Sequence, residues 1–320
     1  MDGADLELFE RSLRHAAEQH TGAALDDALD ELGWSEALAD DPRAAVSLLF
    51  AVQGEAGAAS GALDRVLLHA LGADPAASTA VVLPPIGEWD PPGRLEGELL
   101  TVRGLATGRL AATDTAAVVA VSEGEHVLVH VPVSSLDGRV VQGLDASLGL
   151  VDVDAPHLSI DDAPSRLATG WSMAVAAGRV ALAHELVGAS RAMLALAREH
   201  ALDRVQFGVP ISSFQAVRHR LAETLVAVET ADAVVDAAWL DRSDLAAAMA
   251  KSVAGRSAKT AAKHCQQVLA GIGFTTEHPF QRHVRRVLVL DGLLGRSASL
   301  TERLGRDLLA SRQLPPLLPL

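Results

Sequence analysis

The sequence predicts a mainly α-helical protein with a small β domain in the middle of the chain. Apolar residues recur at helical spacing in the first and last parts, and short Val-rich segments separated by Gly, Pro and Asp occupy the middle. The 320 residues are 49% hydrophobic, which is enough to bury a substantial core. We therefore expect three parts, at residues 1–75, 76–160 and 161–320.

The first part is predicted to be helical from about residue 6 to residue 72. Thr21 and the pair Asp41-Pro42 are helix-start signals, because a side-chain oxygen before a helix and a proline in its first turn both suit the free N–H groups there. The last predicted helix of this part has one apolar face, which consists of Leu63, Val66, Leu67 and Leu71.

The middle part is predicted to be a small antiparallel β domain. Its strand candidates are residues 98–103, 117–121, 126–131 and 139–142. Residues 155–165 contain two prolines as well as acidic residues, and this composition favours a linker. A boundary near residue 160 follows.

The third part has the strongest helical periodicity. The first long helix is predicted to bury a stripe that consists of Leu182, Leu186, Ala189, Met193 and Leu196. The second has a stripe that consists of Phe214, Val217, Leu221, Leu225, Val228, Val235 and Trp239. Ser243 or Asp244 offers the N-cap of a third helix, and Pro279 and Ser297 open two more. Long amphipathic helices joined by short turns predict an antiparallel bundle.

The bulk properties exclude several classes of protein. A net charge of −14 argues against a nucleic-acid partner, because a phosphate-binding surface needs clustered Lys and Arg. The lone Cys265 can form no internal disulfide or paired-cysteine metal site, the histidines show no ligand grouping, and we expect no metal. The acidic N-terminal segment lacks a secretory signal and no apolar run approaches membrane-spanning length, so we expect a cytoplasmic protein.

Two segments at turns between predicted bundle helices carry candidate binding residues. The first, residues 203–215, contains Arg204, Gln206, Phe207, Ile211 and Phe214, and the second, residues 266–279, contains Gln267, Gly271 and Gly273. An arginine offers a planar fork of donors that suits a diphosphate, and glycines let backbone amides approach a phosphate. Taken singly, Arg204 could be a solvated turn residue, Phe207 a core residue and Gly271 a helix C-cap.

Together the two segments resemble the Arg-x-Gln-Phe-Gly-x-Pro-Ile-x-x-Phe-Gln and Gln-x-x-Gly-Gly-x-Gly-Phe turns of the acyl-CoA dehydrogenase family. The resemblance implies an N-terminal helical domain, a middle β-barrel-like domain and a C-terminal four-helix bundle. It also implies FAD as the cofactor, with the eight turn residues contacting an FAD that is held mainly by a neighbouring subunit.

The same resemblance implies a catalytic glutamate that removes the α-proton of an acyl-CoA thioester while a hydride passes to the flavin. Acyl-CoA dehydrogenases place this glutamate at one of two positions, which correspond here to Leu294, before Gly295, and Gly178, before Arg179. Neither residue can take a proton. Three nearby carboxylates are candidate substitutes, and we predict each to be a solvated helix residue: Asp291, Glu185 and Glu302.

A basic group near the end of the chain is predicted to form a solvated helix face, with an interfacial or CoA-phosphate role as the minor hypothesis. It consists of Arg282, His283, Arg285 and Arg286.

The rest of the chain departs from the family. The Thr-Glu-Pro-x-x-Gly-Ser-Asp and Trp-Ile-[Ser/Thr] segments that touch the flavin ring and the thioester are absent between Val81 and Val153, and the N-terminal part is short. The chain therefore resembles the non-catalytic subunit of actinobacterial two-plus-two heteromeric acyl-CoA dehydrogenases. By analogy, a paralogous partner supplies the glutamate and most of the acyl-CoA site, and α,β-desaturation acts on steroid side-chain or other bulky thioesters.

Two alternatives stay open on the sequence. The chain could be a self-contained flavoenzyme with a non-standard base, or a catalytically inert scaffold that has lost its cofactor.

Overall fold

The structure is a computed structural model that describes residues 3–75, 78–160, 163–167 and 170–312. Helices come first in the chain, one sheet follows, and a bundle of long helices completes the described part. This order confirms the predicted fold class. The division at about residues 75 and 160 stays our proposal for the domain boundaries.

The N-terminal part consists of α1 (Gly3–Gln19), α2 (Ala23–Glu31), α3 (Trp34–Asp40), α4 (Pro42–Ala56) and α5 (Ala62–Ala70). The predicted start at Asp41-Pro42 is confirmed, because the Asp41 side chain accepts a hydrogen bond from Ala44 N at 3.1 Å. Thr21 has a different role: its hydroxyl accepts a hydrogen bond from Ala59 N at 3.0 Å, and α2 starts after Gly22. The predicted apolar face of α5 is buried.

The middle part is one sheet of eight short strands: β1 (Thr79–Val81), β2 (Gly93–Glu96), β3 (Leu99–Ala106), β4 (Thr115–Ser122), β5 (Glu125–Pro132), β6 (Asp137–Val140), β7 (Val151–Ser159) and β8 (Ser165–Arg166). The order is β6-β7-β3-β2-β4-β5-β8, with β1 paired to β4. Neighbours are antiparallel except in the β2–β4 and β1–β4 pairs. All four predicted strand regions overlap strands of this sheet, although residues 141 and 142 lie beyond the end of β6.

The linker predicted at residues 155–165 is wrong for its first half. β7 continues through Pro156 to Ser159, and Ala155 is buried opposite Val102. Proline is tolerated there because the β3–β7 register shifts between Leu100 and Val102, and such irregularities free one residue from the ladder.

The C-terminal part consists of α6 (Gly170–Asp203), the hairpin of β9 (Val205–Gln206) and β10 (Val209–Pro210), α7 (Gln215–Asp241), α8 (Asp244–Leu269), α9 (Phe280–Gly292) and α10 (Ser297–Ser311). Ser243 caps α8 by accepting a hydrogen bond from Ala246 N at 3.1 Å, Pro279 precedes α9, and α10 begins at Ser297, all as predicted. α6 is the central helix and packs against α4, α5, α7, α8 and α9.

The predicted stripes are only partly buried. In α6, the residues Leu182, Leu186, Ala189 and Met193 are buried as expected. In α7 the buried line consists of Thr224, Val228, Ala231, Val235 and Ala238, whereas Leu225 of the predicted stripe is 49% exposed. The first half of α7 therefore presents apolar side chains to the surface.

α6 is the exception to the expectation that no segment reaches membrane-spanning length. Among the described residues it is one helix that is long and apolar enough to cross a membrane. However, 72% of its most apolar stretch is buried inside the molecule, as in the core helix of a globular protein. Arg179 and Glu185 also lie in its buried part.

Candidate functional site

The first turn projects from the end of α6 as a two-residue β-hairpin. Phe207 and Gly208 form its tip with φ of +52° and +82°, the left-handed pair that joins tightly turned strands. Gly208 adopts this conformation without strain. Phe207 is strained, because a positive φ is unfavourable for a residue with a bulky side chain, and its side chain is 92% exposed. Its ring contacts Phe214 edge to face, with centroids 6.1 Å apart. A strained, exposed aromatic residue is typical of a binding site.

The other predicted residues of this turn are held by the backbone, which leaves their side chains available. Ile211 N donates to Arg204 O at 2.8 Å, and Arg204 N donates to His200 O at 2.9 Å. Arg204 and Gln206 are exposed, and the Arg204 guanidinium has no hydrogen bond or ion pair with any described residue. Ile211 packs against the core, so it supports the turn.

The second turn begins where α8 ends, with Ala270 at φ +52° and ψ −131°. Gly271 is surrounded by open space, because a Cβ built there meets no atom within 4 Å. Gly273 is different: a Cβ would lie 2.5 Å from Gln266 Nε2 and 2.9 Å from Leu269 Cβ. Close packing against its own helix therefore accounts for glycine at 273, whereas Gly271 is open to an approaching ligand. Gln267 and Phe274 are exposed beside it.

The two turns lie at the same end of the bundle. α6, α7 and α8 follow one another in the chain and pack together. Because α7 runs antiparallel to the other two helices, the ends of α6 and α8 lie on the same side of the bundle. His278 of the second turn is also near His200 at the end of α6: partial burial lowers the pKa of His200, and the neighbouring His278 and Arg204 lower it further. Together, Arg204, Phe207, Gln267 and Gly271 form what we call the rim surface.

The two positions at which the family places its glutamate meet in space. A Cβ built on Gly178 would lie 2.5 Å from Leu294 Cδ1, 3.1 Å from Leu67 Cδ2 and 3.6 Å from Leu63 Cδ1. Leu294 is only 1% exposed. The place where a base would stand is therefore filled by three leucine side chains, from α5 and from the α9–α10 connection.

Arg179, next to Gly178, ties this region together. Its Nε donates to Leu294 O at 3.0 Å, its Nη1 pairs with Asp244 at 3.1 Å, and its guanidinium lies 5.6 Å from the centroid of the Trp89 ring. Burial lowers the pKa of Arg179 to about 10, although Asp244 counteracts this. Asp244, the one carboxylate bonded to Arg179 among the described residues, thus serves as its counter-ion.

Lys251 anchors the α9–α10 connection from the other side. The side chain is fully buried, and its Nζ donates to Asp291 O at 3.0 Å and to Gly295 O at 3.3 Å. Burial lowers the pKa of Lys251 to about 7, with Asp291 acting in the opposite direction. The sequence gives no signal for this role, because a lysine is ordinarily expected at the surface.

A segment of the middle part covers the outer face of the same connection. Gly87 N donates to Gly292 O at 2.8 Å, and a Cβ on Gly292 would lie 3.0 Å from Ile86 Cδ1. Trp89 lies against Gly295, where a Cβ would be 2.9 Å from the indole ring. Because Ile86 and Trp89 pack on this connection and Leu294 is buried, the residues present do not fit a flavin ring at this position.

The three substitute carboxylates are not placed for catalysis, and the prediction that all three are solvated is wrong for two. Asp291 is buried and pairs with Lys259 at 2.6 Å; burial would raise its pKa, but the Lys259 hydrogen bond and Lys251 leave it below its usual value. Burial raises the pKa of Glu185, which Arg286 opposes. Glu302 is exposed and lies 3.6 Å from Arg306.

The solvated face predicted for the basic group on α9 is wrong for two of its four residues, since Arg282 and Arg285 are exposed but the other two are not. The side chains of Arg286 and His283 are buried, and Arg286 Nε pairs with Asp145 at 2.5 Å. Arg286 Nη1 lies 3.4 Å from Glu185 and also donates to Ala58 O. A buried guanidinium is stable here because two carboxylates and backbone carbonyls surround it.

Within the described ranges, no three His, Cys, Asp or Glu side chains are grouped so that they could hold a metal ion. Cys265 is buried as predicted, and burial raises the pKa of its thiol to about 12. A thiol with this pKa is inert at neutral pH.

Comparison with known proteins identifies the C-terminal part. Residues 169–309 match the acyl-CoA dehydrogenase C-terminal domain. This confirms the resemblance drawn from the two turns. FAD is the cofactor of acyl-CoA dehydrogenases, which are oxidoreductases that act on acyl-CoA thioesters.

Two curated relatives come from mycobacteria. The chain is 41% identical over 146 residues to acyl-CoA dehydrogenase FadE34 of Mycobacterium tuberculosis, a match that covers 40% of this chain and 20% of the relative. It is 38% identical over 114 residues to acyl-CoA dehydrogenase IpdE2 of Mycolicibacterium smegmatis, covering 36% of this chain and 37% of the relative. The matching segments thus span well under half of these relatives.

Solved structures match over nearly the whole chain. A variant of the Tcur3481-Tcur3483 steroid ACAD aligns with a TM-score of 0.80 at 19% identity, covering 97% of this chain and 99% of that chain. The ChsE4-ChsE5 complex from Mycobacterium tuberculosis aligns with a TM-score of 0.77 at 20% identity, covering 99% of each chain. At these identities the comparison shows the shared fold.

Proposed function

We propose that this chain is a subunit of an FAD-dependent acyl-CoA dehydrogenase, and that it contributes the rim surface to a flavin bound mainly by a paralogous partner. The observation that carries the proposal is the contact between Gly178 and Leu294. A general base must reach the α-proton of the substrate, and leucine packing at both family positions leaves no group to do so.

The distance between the two regions supports a division of labour between chains. Gly178 and Asp203 lie on the single continuous helix α6, about 25 residues apart. At 1.5 Å of rise per residue this is roughly 38 Å. An extended FAD molecule is shorter than that, so a flavin held at the rim surface does not reach the Leu294 region of the same chain. The rim surface therefore serves a reaction centre outside this chain.

The rim residues fit a contact with the phosphate and ring portions of FAD. Arg204 presents a guanidinium without an ion-pair partner among the described residues, and Phe207 presents an exposed ring. Gly271 lets the backbone amides of its turn approach a phosphate. Bound FAD supplies hydride acceptance. The residues of this chain bind and orient it, while the base and most of the acyl-CoA site belong to the partner.

The substrate class that we propose is a bulky acyl-CoA thioester, such as a steroid side chain. Support comes from the fold-level likeness to the steroid ACAD and to the ChsE4-ChsE5 complex, together with the match to two mycobacterial relatives. We likewise propose a two-plus-two heterotetramer in the cytoplasm.

The decisive experiment compares this chain alone with the chain co-expressed with a paralogue that carries the glutamate. Alone, it should retain little FAD and show no acyl-CoA-dependent reduction of an electron acceptor. The co-expressed complex should be yellow and active. Full activity of the isolated chain would overturn the proposal.

Two sets of variants separate the alternatives. A self-contained flavoenzyme with a non-standard base requires Asp291→Asn or Glu185→Gln to abolish turnover in the isolated chain. An inert scaffold requires Arg204→Ala to leave the FAD content of the complex unchanged, whereas our proposal requires that content to fall.

A further inference from the structure

Residues 84–92 connect the sheet to the bundle, and we call them the proline arch. The segment begins with Pro84-Pro85 and ends with Pro91-Pro92. Both ends are held by backbone hydrogen bonds to β3: Leu83 with Leu105 at 2.6 and 2.8 Å, and Pro92 O with Arg103 N at 3.0 Å. Because proline fixes φ, a segment bracketed by proline pairs loses little conformational freedom when it is held in one position.

The middle of the proline arch lies on the α9–α10 connection. Gly87 N donates to Gly292 O at 2.8 Å. The ring of Trp89 lies so close to Gly295 that a Cβ at 295 would be 2.9 Å from it. The arch therefore covers the connection at the residue that follows Leu294, and glycine at 295 is what permits the close approach of the ring.

Three residues of the bundle hold Trp89 in place. Trp171 Nε1 of α6 donates to the carbonyl oxygen of Trp89 at 2.8 Å. The guanidinium carbons of Arg179 in α6 and Arg303 in α10 lie 5.6 and 5.4 Å from the centroid of the Trp89 ring. The two cations repel each other, and an aromatic ring attracts both. The indole therefore stabilises a pair of like charges at this position.

The place that Trp89 fills is the place of a ligand in the family that this chain resembles. The resemblance puts a catalytic glutamate at position 294, directly before Gly295, and a base must lie within hydrogen-bonding reach of the proton that it removes. A group that lies against Gly295 therefore occupies space that a reacting ligand needs. Here the group is an indole of the same chain. A cavity of about 170 Å³ remains beside it, lined in part by Trp89, Trp171 and Arg179.

We propose that the proline arch is a built-in plug, in which Trp89 takes the place of a planar aromatic ligand and keeps the centre of this chain closed. The proposal goes beyond the proposed function, because the plug belongs to this chain alone and does not depend on a partner. Removal of the indole should join its volume to the neighbouring cavity. Since a cavity of roughly 150 Å³ takes a molecule the size of benzene, the combined space should take a ring system of two or three fused rings.

The test uses the full chain with Trp89→Gly and, as the probe, lumiflavin, which has the three flavin rings and no phosphate. Binding is followed by the quenching of lumiflavin fluorescence. The variant should bind lumiflavin with a Kd of roughly 100 µM, at least about tenfold tighter than the unmodified chain. Indole should raise the Tm of the variant and leave that of the unmodified chain unchanged, because a ligand stabilises only a folded form that has a site for it.

The matched control is Trp89→Phe, which keeps an aromatic ring in the arch and should bind lumiflavin no better than the unmodified chain. A second control addresses the rim surface, where Phe207 also offers an exposed ring. The double variant Trp89→Gly/Phe207→Ala should retain the added binding. Loss of the added binding in the double variant would assign the probe to the rim surface and overturn the proposal.

Hydrogen exchange of the unmodified chain decides the matter if Trp89→Gly does not fold. A plug that stays closed predicts that the Gly87 amide and the Trp171 indole N–H exchange within about tenfold of the rate of the α6 amides. Much faster exchange at these two groups would make the arch a mobile lid, and equal lumiflavin binding by Trp89→Gly and the unmodified chain would also contradict the plug. Neither result bears on the proposed function, which Arg204→Ala tests in the complex.

Discussion

Gly178 of α6 and Leu294 of the α9–α10 connection touch: a Cβ on Gly178 would lie 2.5 Å from Leu294 Cδ1. Each residue occupies one of the two family positions for the catalytic glutamate, and these positions turn out to be one place in space. A glutamate introduced at either position would therefore lack space among the leucine side chains, and its charge would be buried in an apolar environment.

Replacing Leu294 by glutamate should destabilise the chain without creating activity. The carboxyl group would be buried among leucines, so its folded-state pKa would lie above the unfolded value and the loss of stability would grow as pH rises past that value. We expect a loss of about 3 kcal/mol near neutral pH, measured by urea unfolding. Leu294→Gln is the uncharged control, and its loss should not vary with pH. Turnover by isolated Leu294→Glu would contradict this view.

Because of Lys251, the free energy of unfolding should rise as the pH increases from about 7 to about 9. Burial lowers the pKa of Lys251 to about 7 from an ordinary value of 10.5, so the unfolded chain binds an extra proton above pH 7 and stability rises with pH. The slope should approach about 1 kcal/mol per pH unit. Lys251→Met should abolish it, as measured by urea unfolding at several pH values.

Cys265 should lower the free energy of unfolding above about pH 9 and so oppose the rise that Lys251 produces. Burial raises the pKa of its thiol from 9.0 to about 12, so the unfolded chain loses a proton first and stability falls above pH 9. Cys265→Ala should extend the rising limb of the stability curve above pH 9. A wild-type curve that is flat from pH 7 to pH 9 would show that Lys251 is not held as described.

Ala270→Gly should stabilise the chain. Ala270 begins the second turn at φ +52° and ψ −131°, a backbone conformation that glycine adopts without steric cost. Relief of this strain should raise the unfolding free energy by about 1 kcal/mol, seen as a higher Tm. The control is Ala262→Gly in the interior of α8, which should destabilise the chain by a similar amount because glycine weakens a helix.

Removing Arg286 should be among the most damaging single changes. Arg286→Met leaves Glu185 and Asp145 as buried carboxylates without their counter-ion, which should cost about 3–5 kcal/mol in unfolding free energy. Adding Glu185→Gln should recover part of that loss, because one unpaired charge is removed. If the two effects simply add in a double-mutant cycle, Arg286 and Glu185 do not interact as the structure shows.

Much of the fold was predictable because it depends on local chemistry. Asp41 and Ser243 mark helix starts through hydrogen bonds to the next turn, Pro279 precedes α9, and four residues of the stripe predicted for α6 are buried. The buried line of α7 was harder to predict. Apolar residues occur on more than one face of that helix, and only its packing against α6 and α8 selects Thr224 and Val228 over Leu225.

The sequence by itself determined that two turns carry flavin-family residues and that positions 178 and 294 hold no acid. Only the tertiary structure decided that these positions coincide and that Glu185 and Arg286 are buried together. The physical reason is the range of the interactions. Caps and helical faces are set within a few residues, whereas a buried ion pair or a leucine contact joins residues far apart in the chain, and a charged residue read locally is assigned to solvent.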